Sequence, residues 1–250
     1  MNKLFVGFSK EVELPKGGYI FIGDEVPEVP RARAFNPLEH SLNLLEDLSY
    51  RKICDIVDIF DALFSRGDGT LTKDTGLDFL AEALGAEPRS LETLIEEPDR
   101  KSSTGHIWAY SKVRRILRSP VLRRVLCNPT NFSFNPNSKI LARINRAELS
   151  DFDSLVLGLL LMAHFKGQLV IEDMGFYGRE CHVSLIRKER LIFGCNFLGE
   201  LPPKLRQAAL LLEEKTASRA RLEDAELLAE YAGLIKGTNA FNEFVSGAVS

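Results

Sequence analysis

Cysteine is scarce in this chain, and the spacings that bind metal are missing. Among 250 residues there are four cysteines, without a CxxC pair: Cys54, Cys127, Cys181 and Cys195. Structural zinc sites need clustered Cys and His ligands, and Cys181-His182 is the one close pair of these residue types. The sequence therefore predicts no metal site, and free thiols in a reducing compartment.

Long hydrophobic runs are also missing. The most apolar stretch, Leu155 to Ala163, is nine residues long, about half of the ~18 or more that a membrane span needs. The first 16 residues lack the apolar centre of a signal peptide. The net charge of −3 gives no general attraction to nucleic acid or to an anionic membrane. We expect a cytoplasmic globular protein without a membrane span.

The apolar pattern changes twice along the chain. Up to about residue 37, the runs KLFVGF and GYIFI alternate with turn residues and predict strands. Residues 38–127 carry apolar side chains at helical spacing. From residue 128 onward, apolar strand-like runs such as QLVIED and RLIFGCNF alternate with helical patterns. This alternation predicts an α/β fold with a mostly parallel sheet flanked by helices.

Start and stop signals place the helices within this pattern. Ser, Thr, Asp and Asn favour the position before a helix, and proline favours its first turn or breaks its interior. The predicted helices are 41–65, 75–86, SLETLIEE with Ser90 as its cap, 108–126 with a break or kink at Pro120, one begun by Asp151 or Asp153, 202–216 and 222–235.

Two adjacent acids follow the predicted strand QLVI, namely Glu172 and Asp173. In nucleotide-hydrolysing folds, one acid at such a position steadies Mg²⁺ and the other orients water for attack on a phosphate. The alternative is a pair of strand-end acids that caps a helix or forms surface salt bridges. From the residues alone, both interpretations stay open.

Several stretches, taken in order, resemble those of a known family. They are RAFNPLEHSLNLL, ILRSPVLRRVLCNPTNFSF, QLVIEDMGFY, VSLIRKERLIFGCNFLGELP and KTASRARLEDAELLAEYAG, together spanning roughly Arg33 to Gly233. The chain resembles the RecA-type motor core of HerA/FtsK-class DNA translocases and conjugative coupling proteins. The resemblance implies a RecA-like sheet and, in active members, an ATP-driven ring that moves DNA. Residues 1–37 would then be N-terminal core strands, 38–127 a helical insertion, and 128–250 half of the RecA-like core.

The phosphate-binding loop of that family has no counterpart in this sequence. A P-loop, GxxxxGK[ST], wraps phosphates with backbone N–H groups and neutralises them with its lysine. At the position that the resemblance implies, GYIFIG is followed by DEVPEVPRA. Gly23 matches the first glycine, but the acids that follow repel a triphosphate and the prolines remove N–H donors. This region therefore predicts a degenerate P-loop.

The other catalytic positions implied by the resemblance are altered or isolated. The family's Walker B strand ends Asp-Glu, whereas here the order is Glu172-Asp173. Exchanging the side-chain lengths moves each carboxylate by about one C–C bond, and ~1 Å errors can cost about a hundredfold in rate. Asn196 replaces a glutamine that senses the γ-phosphate, and Arg219 matches an arginine that reaches a neighbour's phosphate. We interpret these four residues as vestigial.

Basic residues cluster in KVRRILRSPVLRR. On a helix some of them share a face and could contact phosphates, although a solvated helix face is the alternative. Arg187-Lys188 matches a basic pair of the family. The candidate DNA-binding residues are Arg114, Arg115, Arg118, Arg123, Arg124, Arg187 and Lys188.

The sequence thus predicts a pseudo-ATPase, a structural or regulatory subunit of a DNA-handling assembly of plasmids or phages. One alternative is a subunit that completes a composite ATPase site with a partner ATPase through Arg219 and the acid pair. Another is a DNA-binding accessory protein. We expect no cofactor of its own, with ATP and Mg²⁺ bound only together with a partner subunit. The expected partners are a motor ATPase or further copies of this chain, with nucleic acid as a third candidate.

Overall fold

The structure is a computed structural model that describes residues 2–7, 14–43, 45–46, 48–64, 70–88, 90–188 and 190–250. Within these ranges the chain forms seven strands and ten α-helices. The strands are β1 (Lys3–Val6), β2 (Tyr19–Gly23), β3 (Arg33–Phe35), β4 (Lys139–Arg143), β5 (Gln168–Ile171), β6 (Leu191–Cys195) and β7 (Glu214–Ala217). The helices are α1 (Tyr50–Phe64), α2 (Thr70–Gly85), α3 (Thr104–Leu117), α4 (Pro120–Cys127), α5 (Asp151–His164), α6 (Met174–Tyr177), α7 (Val183–Arg187), α8 (Pro203–Leu210), α9 (Leu222–Tyr231) and α10 (Asn239–Val249).

The chain divides into two compact units. The first contains residues 1–33, 136–142 and 167–250, and the second contains residues 34–135 and 143–166. The predicted boundaries at residues 37 and 127 follow composition rather than contacts, and they stay a prediction.

Parallel pairing organises the sheet of the first unit. β1 pairs in parallel with β6 and β7, and β5 pairs in parallel with β2 and β6. Six strands follow the order β4-β2-β5-β6-β1-β7. Every residue of β2 and β6 is buried, as expected for parallel strands that are covered on both faces. The predicted α/β class with a mostly parallel sheet is confirmed.

Alternate strand residues of the first unit build one layer of its core. Tyr19, Phe21, Leu141, Val170 and Ile192 form a buried cluster on one sheet face. Side chains from irregular segments pack on this cluster, namely Leu14, Val26, Val29 and Ala32. The proline-rich segment after β2 therefore helps to cover the sheet without forming a helix there.

Two glycines allow close packing of α2 on α3 in the second unit. A Cβ on Gly76 would lie 2.3 Å from the ring of Trp108, and a Cβ on Gly105 would lie 2.4 Å from the carbonyl oxygen of Thr75. Real Cβ atoms do not approach other atoms this closely, so only glycine fits at both positions. Trp108 consequently packs into the α2–α3 contact and is buried.

Two helix predictions were wrong for local reasons. SLETLIEE forms a turn, in which the hydroxyl of Thr93 accepts from the N–H of Ser90 and donates to its carbonyl; such bonds compete with a helix. α1 begins at Tyr50 rather than near residue 41, since the N–H groups of Ser41 and Asn43 donate to side chains of residues 131 and 130. Residues 44, 47 and 65 of that predicted helix lie outside the described residues.

Other helix ends and one strand also differ from the predictions. The break at Pro120 is found, with Ser119 as the cap of α4. The cap of α5 is Ser150, whose hydroxyl accepts from the N–H of Asp153, rather than either predicted aspartate. The predicted helix 202–216 ends early, and its last residues form β7. α10 was not predicted.

Candidate functional site

The strand order reverses between β1 and β6, which are neighbours in the sheet. From β1 the chain passes to β2 on one side, and from β6 it passes to β7 on the other side. In open α/β sheets, ligands bind in the crevice outside the carboxyl ends of the strands at such a reversal. The candidate site is therefore the carboxyl edge of the sheet in the first unit.

Gly7 follows β1 at this reversal and is tightly enclosed by backbone. Its N–H donates to the carbonyl of Cys195, at 3.0 Å. Its φ is +126°, and a Cβ there would lie 1.8 Å from the carbonyl oxygen of Ser218. The N–H of Ser218 in turn donates to the carbonyl of Val6, at 3.0 Å. The ends of β6, β1 and β7 are thus joined through their own backbone groups.

The connection from β1 to β2 is short for a phosphate-binding loop. Since β1 ends at Val6 and β2 begins at Tyr19, residues 7–18 connect them, which is twelve residues. A P-loop motif takes about eight of these residues. The remaining residues could form little more than one turn of the helix that normally follows such a loop. Gly23, the first glycine of the predicted degenerate loop, is the last residue of β2 and lies beside β5.

Glu172 extends from the end of β5 towards the end of β2. Its carboxylate accepts a hydrogen bond from the N–H of Asp24, at 2.9 Å. A Cβ on Gly23 would lie 2.3 Å from the same carboxylate oxygen. Glu172 therefore binds the strand end at which the sequence placed the phosphate loop.

Asp173 begins the short helix α6. Its carboxylate accepts from the N–H of Phe176, at 3.2 Å, and the residue is 8% exposed. This is the geometry of a helix cap. Both acids thus lie at the end of β5, where Glu172 binds the end of β2 and Asp173 caps α6.

Asn196 follows β6 and is held by Glu200. The carboxylate of Glu200 accepts from the backbone N–H of Asn196, at 3.1 Å, and from its side-chain amide, at 3.4 Å. It also accepts from the N–H of Phe197, at 3.4 Å. A Cβ on Gly175 would lie 2.5 Å from the same carboxylate. Glu200 therefore fills the space between the end of β6 and α6.

A second carboxylate supports this turn from α9. Asp224 is buried and accepts from the N–H of Leu198, at 3.2 Å. Burial raises the pKa of Asp224, the hydrogen bond from Leu198 and the charge of Arg221 oppose this increase, and the charges of Glu223 and Glu200 add smaller increases. The sequence reasoning missed Glu200 and Asp224, and no local residue pattern marks either of them.

Arg219 lies just beyond β7 in an unusual conformation. Its φ is +51°, a left-handed value that costs a residue with a side chain ~1 kcal/mol or more. Its neighbours fix the backbone, since Ser218 donates to Val6 and Ala220 donates to Ala248. The side chain is exposed.

The basic candidates lie in both units and have different surroundings. In the second unit, Arg123 forms an ion pair with Glu92 at 2.6 Å, and Arg124 donates to the carbonyls of Pro37 and Leu38. The Arg115 guanidinium lies 4.8 Å from the ring centre of Phe152.

The remaining basic candidates are exposed. Arg114 lies beside the hydroxyl of Tyr110, at 3.4 Å. Arg118, Arg187 and Lys188 are exposed, the last two in the first unit. The α3–α4 arginines therefore differ in their partners, and their contact with DNA stays a prediction.

The resemblance implies a Mg²⁺–nucleotide at the carboxyl edge of the described strands. Phosphate binding needs backbone N–H groups that are free to donate. Here the protein itself uses such groups, namely those of Gly7, Asp24, Asn196, Phe197 and Ser218. In the described part of the chain, no group of three His, Cys, Asp or Glu side chains could hold a metal ion. No helix among the described residues is long and apolar enough to cross a membrane.

Comparison with known proteins gives fold relationships. No family model and no curated protein matches the sequence. VirB4 of Thermoanaerobacter pseudethanolicus matches with a TM-score of 0.67 at 13% identity, over 98% of this chain and 84% of that chain. Plasmid coupling protein TrwB in complex with the GTP analogue GDPNP matches with a TM-score of 0.55 at 12% identity, over 92% of this chain and 74% of that chain.

A second TrwB structure agrees. Bacterial conjugative coupling protein TrwBΔN70, in a trigonal form with sulphate, matches with a TM-score of 0.54 at 13% identity, over 90% of this chain and 72% of that chain. The chain therefore has the RecA-like α/β fold of these proteins, the fold that the sequence resemblance indicated.

Proposed function

We propose that this chain is a relative of DNA-transfer motors that does not hydrolyse nucleotide and acts as a structural or regulatory subunit of a DNA-handling assembly. The observation that carries the proposal is the use of the strand-end groups. Backbone donors and carboxylates at the carboxyl edge bind one another, as in the pair Asp24–Glu172. A nucleotide would have to displace these internal hydrogen bonds to bind.

Charge at this edge argues in the same direction. Glu200 occupies the space beside Asn196, and Asp224 lies close enough to Glu200 for their charges to interact. Phosphate groups placed here would face carboxylates at short range, where repulsion is strong. No lysine of a GxxxxGK[ST] motif offsets that charge.

The fold relatives support a role in DNA transfer. VirB4 and TrwB share the fold, and TrwB is described as a plasmid coupling protein. A chain that keeps this fold without a nucleotide site retains surfaces on which other subunits can pack. We infer that it joins or regulates a motor assembly of a plasmid or phage, with a motor ATPase or further copies of itself as partner.

Calorimetry tests the absence of nucleotide binding. ATP and ADP, each with Mg²⁺, are titrated into the wild-type protein and into Glu172→Ala. We expect no binding heat with either protein. Micromolar affinity that disappears in Glu172→Ala would overturn the proposal, because Glu172 would then serve the nucleotide rather than β2.

Arg219 supports a second candidate function, completion of a composite ATPase site with a partner. An exposed arginine in a left-handed conformation is strained, and such strain is concentrated at functional sites. ATP and Mg²⁺ would then bind only at a partner's phosphate loop. Mixing this chain with a conjugative motor ATPase tests the idea. Stimulated hydrolysis that is lost in Arg219→Ala supports it, and unchanged hydrolysis counts against it.

A further inference from the structure

A groove in the second unit runs between the turn at residues 90–97 and the helices α3 and α4. It has a volume of about 560 Å³, which is in the range of ligand-binding clefts. On α3 the groove is lined by residues at helical spacing, namely Tyr110, Val113, Arg114 and Leu117. This spacing puts them on one helix face.

The groove combines an apolar floor with charged edges. Leu91, Ile95 and Val113 form the floor and are largely buried. The edges carry three arginines and two glutamates, which are Arg114, Arg118, Arg123, Glu92 and Glu97. The ion pair between Arg123 and Glu92, at 2.6 Å, neutralises one of each. The remaining charges at the edges are two guanidinium groups, of Arg114 and Arg118, and one carboxylate, of Glu97.

Arg118 carries the excess positive charge. Its side chain has no hydrogen-bond or ion-pair partner among the residues that the structure describes, and it is exposed. Among the described residues, the Arg114 side chain donates a hydrogen bond to the Tyr110 hydroxyl alone, at 3.4 Å, and its guanidinium lies 5.8 Å from the centre of that ring. These two groups are the donors that a carboxylate entering the groove would meet.

Contacts within the second unit hold the wall formed by residues 90–97. The His106 ring nitrogen Nε2 lies 2.8 Å from the carbonyl oxygen of Glu96, and the Arg123–Glu92 pair holds the other end. The side chain of Thr93 closes the turn onto Ser90. A preformed wall reduces the ordering cost of binding.

We propose that this groove binds a short segment of a partner protein in which a carboxylate is flanked by apolar side chains. The carboxylate would pair with Arg118 and Arg114, and the apolar side chains would cover Val113 and Leu117. A nucleic acid fits less well, because its regularly spaced phosphates would meet Glu92 and Glu97. The proposal is independent of whether the chain binds nucleotide.

A random 12-residue peptide library displayed on phage is the probe. Peptides are selected on the wild-type protein, and the dissociation constants of the enriched ones are measured by fluorescence polarisation. We expect enriched peptides to carry Asp or Glu beside apolar residues. Arg118→Glu should weaken them by roughly tenfold or more, and Arg118→Gln by less. Arg51→Glu, an exposed arginine on α1, is the matched control and should not change binding.

A charge exchange separates recognition from misfolding. Peptides whose acid is replaced by Lys should bind Arg118→Glu more tightly than the wild type, which a misfolded variant would not do. Selection of no peptide, selection of peptides without acids, or equal affinity for the wild type and Arg118→Glu would overturn the proposal. A duplex or single-stranded oligonucleotide that binds the wild type with salt-sensitive affinity, and loses that affinity in Arg118→Glu, would assign the groove to nucleic acid instead.

Discussion

The carboxylate of Glu172 and the backbone N–H of Asp24 lie 2.9 Å apart and join the ends of two adjacent parallel strands. The same carboxylate occupies the space where any side chain at position 23 would stand. The acid that resembles a catalytic residue is therefore part of the packing between β2 and β5.

This packing makes position 23 intolerant of a methyl group. We expect Gly23→Ala to lower the free energy of unfolding by about 1–3 kcal/mol, because its Cβ would collide with Glu172 and with the ring of Phe21. Gly17→Ala is the control, since nothing lies within 4 Å of its Cβ. Urea unfolding gives both values. Equal midpoints for the two variants would show that the Glu172 contact is not close.

The arginines of α4 should differ from those at the end of α3 in their effect on stability. Arg124→Met removes donors to the carbonyls of Pro37 and Leu38 and should cost about 1–2 kcal/mol. Arg118→Met should stay within about 0.5 kcal/mol of the wild type, since its side chain is exposed. Chemical unfolding of the two variants measures this difference. A larger loss of stability in Arg118→Met than in Arg124→Met would contradict the hydrogen bonds of Arg124 to Pro37 and Leu38.

Acid should destabilise the protein partly through His182. Burial, and then the charge of Arg179, lowers the pKa of His182 from 6.5 to about 3. Between these pH values the unfolded chain binds a proton that the folded protein does not. The stabilisation is thus complete above pH ~6.5 and is lost as the pH falls towards 3. The pKa of His164, lowered to about 4 by burial and by Lys52 and Lys166, acts in the same direction.

His182→Asn isolates that contribution. Asparagine retains an acceptor for the N–H of Arg179, which donates to the histidine ring at 3.1 Å, but it does not titrate. Although the variant will be less stable, unfolding between pH 4 and 6 should take up about one proton fewer than in the wild type. The slope of unfolding free energy against pH measures this number. Identical slopes would mean that His182 is protonated in the folded protein.

Arg219 should be replaceable by glycine without loss of stability. Glycine adopts a φ of +51° without the penalty of a Cβ, so Arg219→Gly should change stability by between zero and about +1 kcal/mol. Arg221→Gly is the contrast, because the Arg221 guanidinium lies 3.7 Å from the ring centre of Phe197 and its loss should destabilise the protein. Thermal unfolding compares the two, and strong destabilisation by Arg219→Gly would mean that its side chain supports the fold.

Buried parallel strands could be predicted from the sequence, whereas their order could not. Runs such as YIFIG are apolar on both faces and identify a strand wherever it lies in a sheet. β7, with the sequence EKTA, has a composition typical of helices. It is a strand because it pairs with β1, as in Lys215 with Leu4, far away in the sequence. Such pairing leaves no local pattern.

The candidate site shows the same limit. Glu172 and Asp173 could be identified because they end a recognisable strand, but their partners depend on which strand is adjacent. The contact of Glu172 with Asp24 spans 148 positions, and no residue pattern marks it. Glu200 and Asp224 come from turns and helix faces, where an acid is ordinary. The sequence resemblance could indicate the fold. It could not show that the carboxylates of Glu172, Glu200 and Asp224 accept hydrogen bonds from backbone groups.

The position of β1 in the sheet has a consequence for biosynthesis. Lys3 pairs with Ile192 and with Glu214, so β1 leaves the ribosome about 190 residues before β6, the first of its two neighbours to be made. Until then both of its edges remain unpaired, and an unpaired apolar strand is a site of aggregation. Closure of the sheet requires loops of about 190 and 210 residues, and such distant pairing makes folding slow. We therefore expect the nascent chain to depend on chaperones until β6 and β7 have emerged.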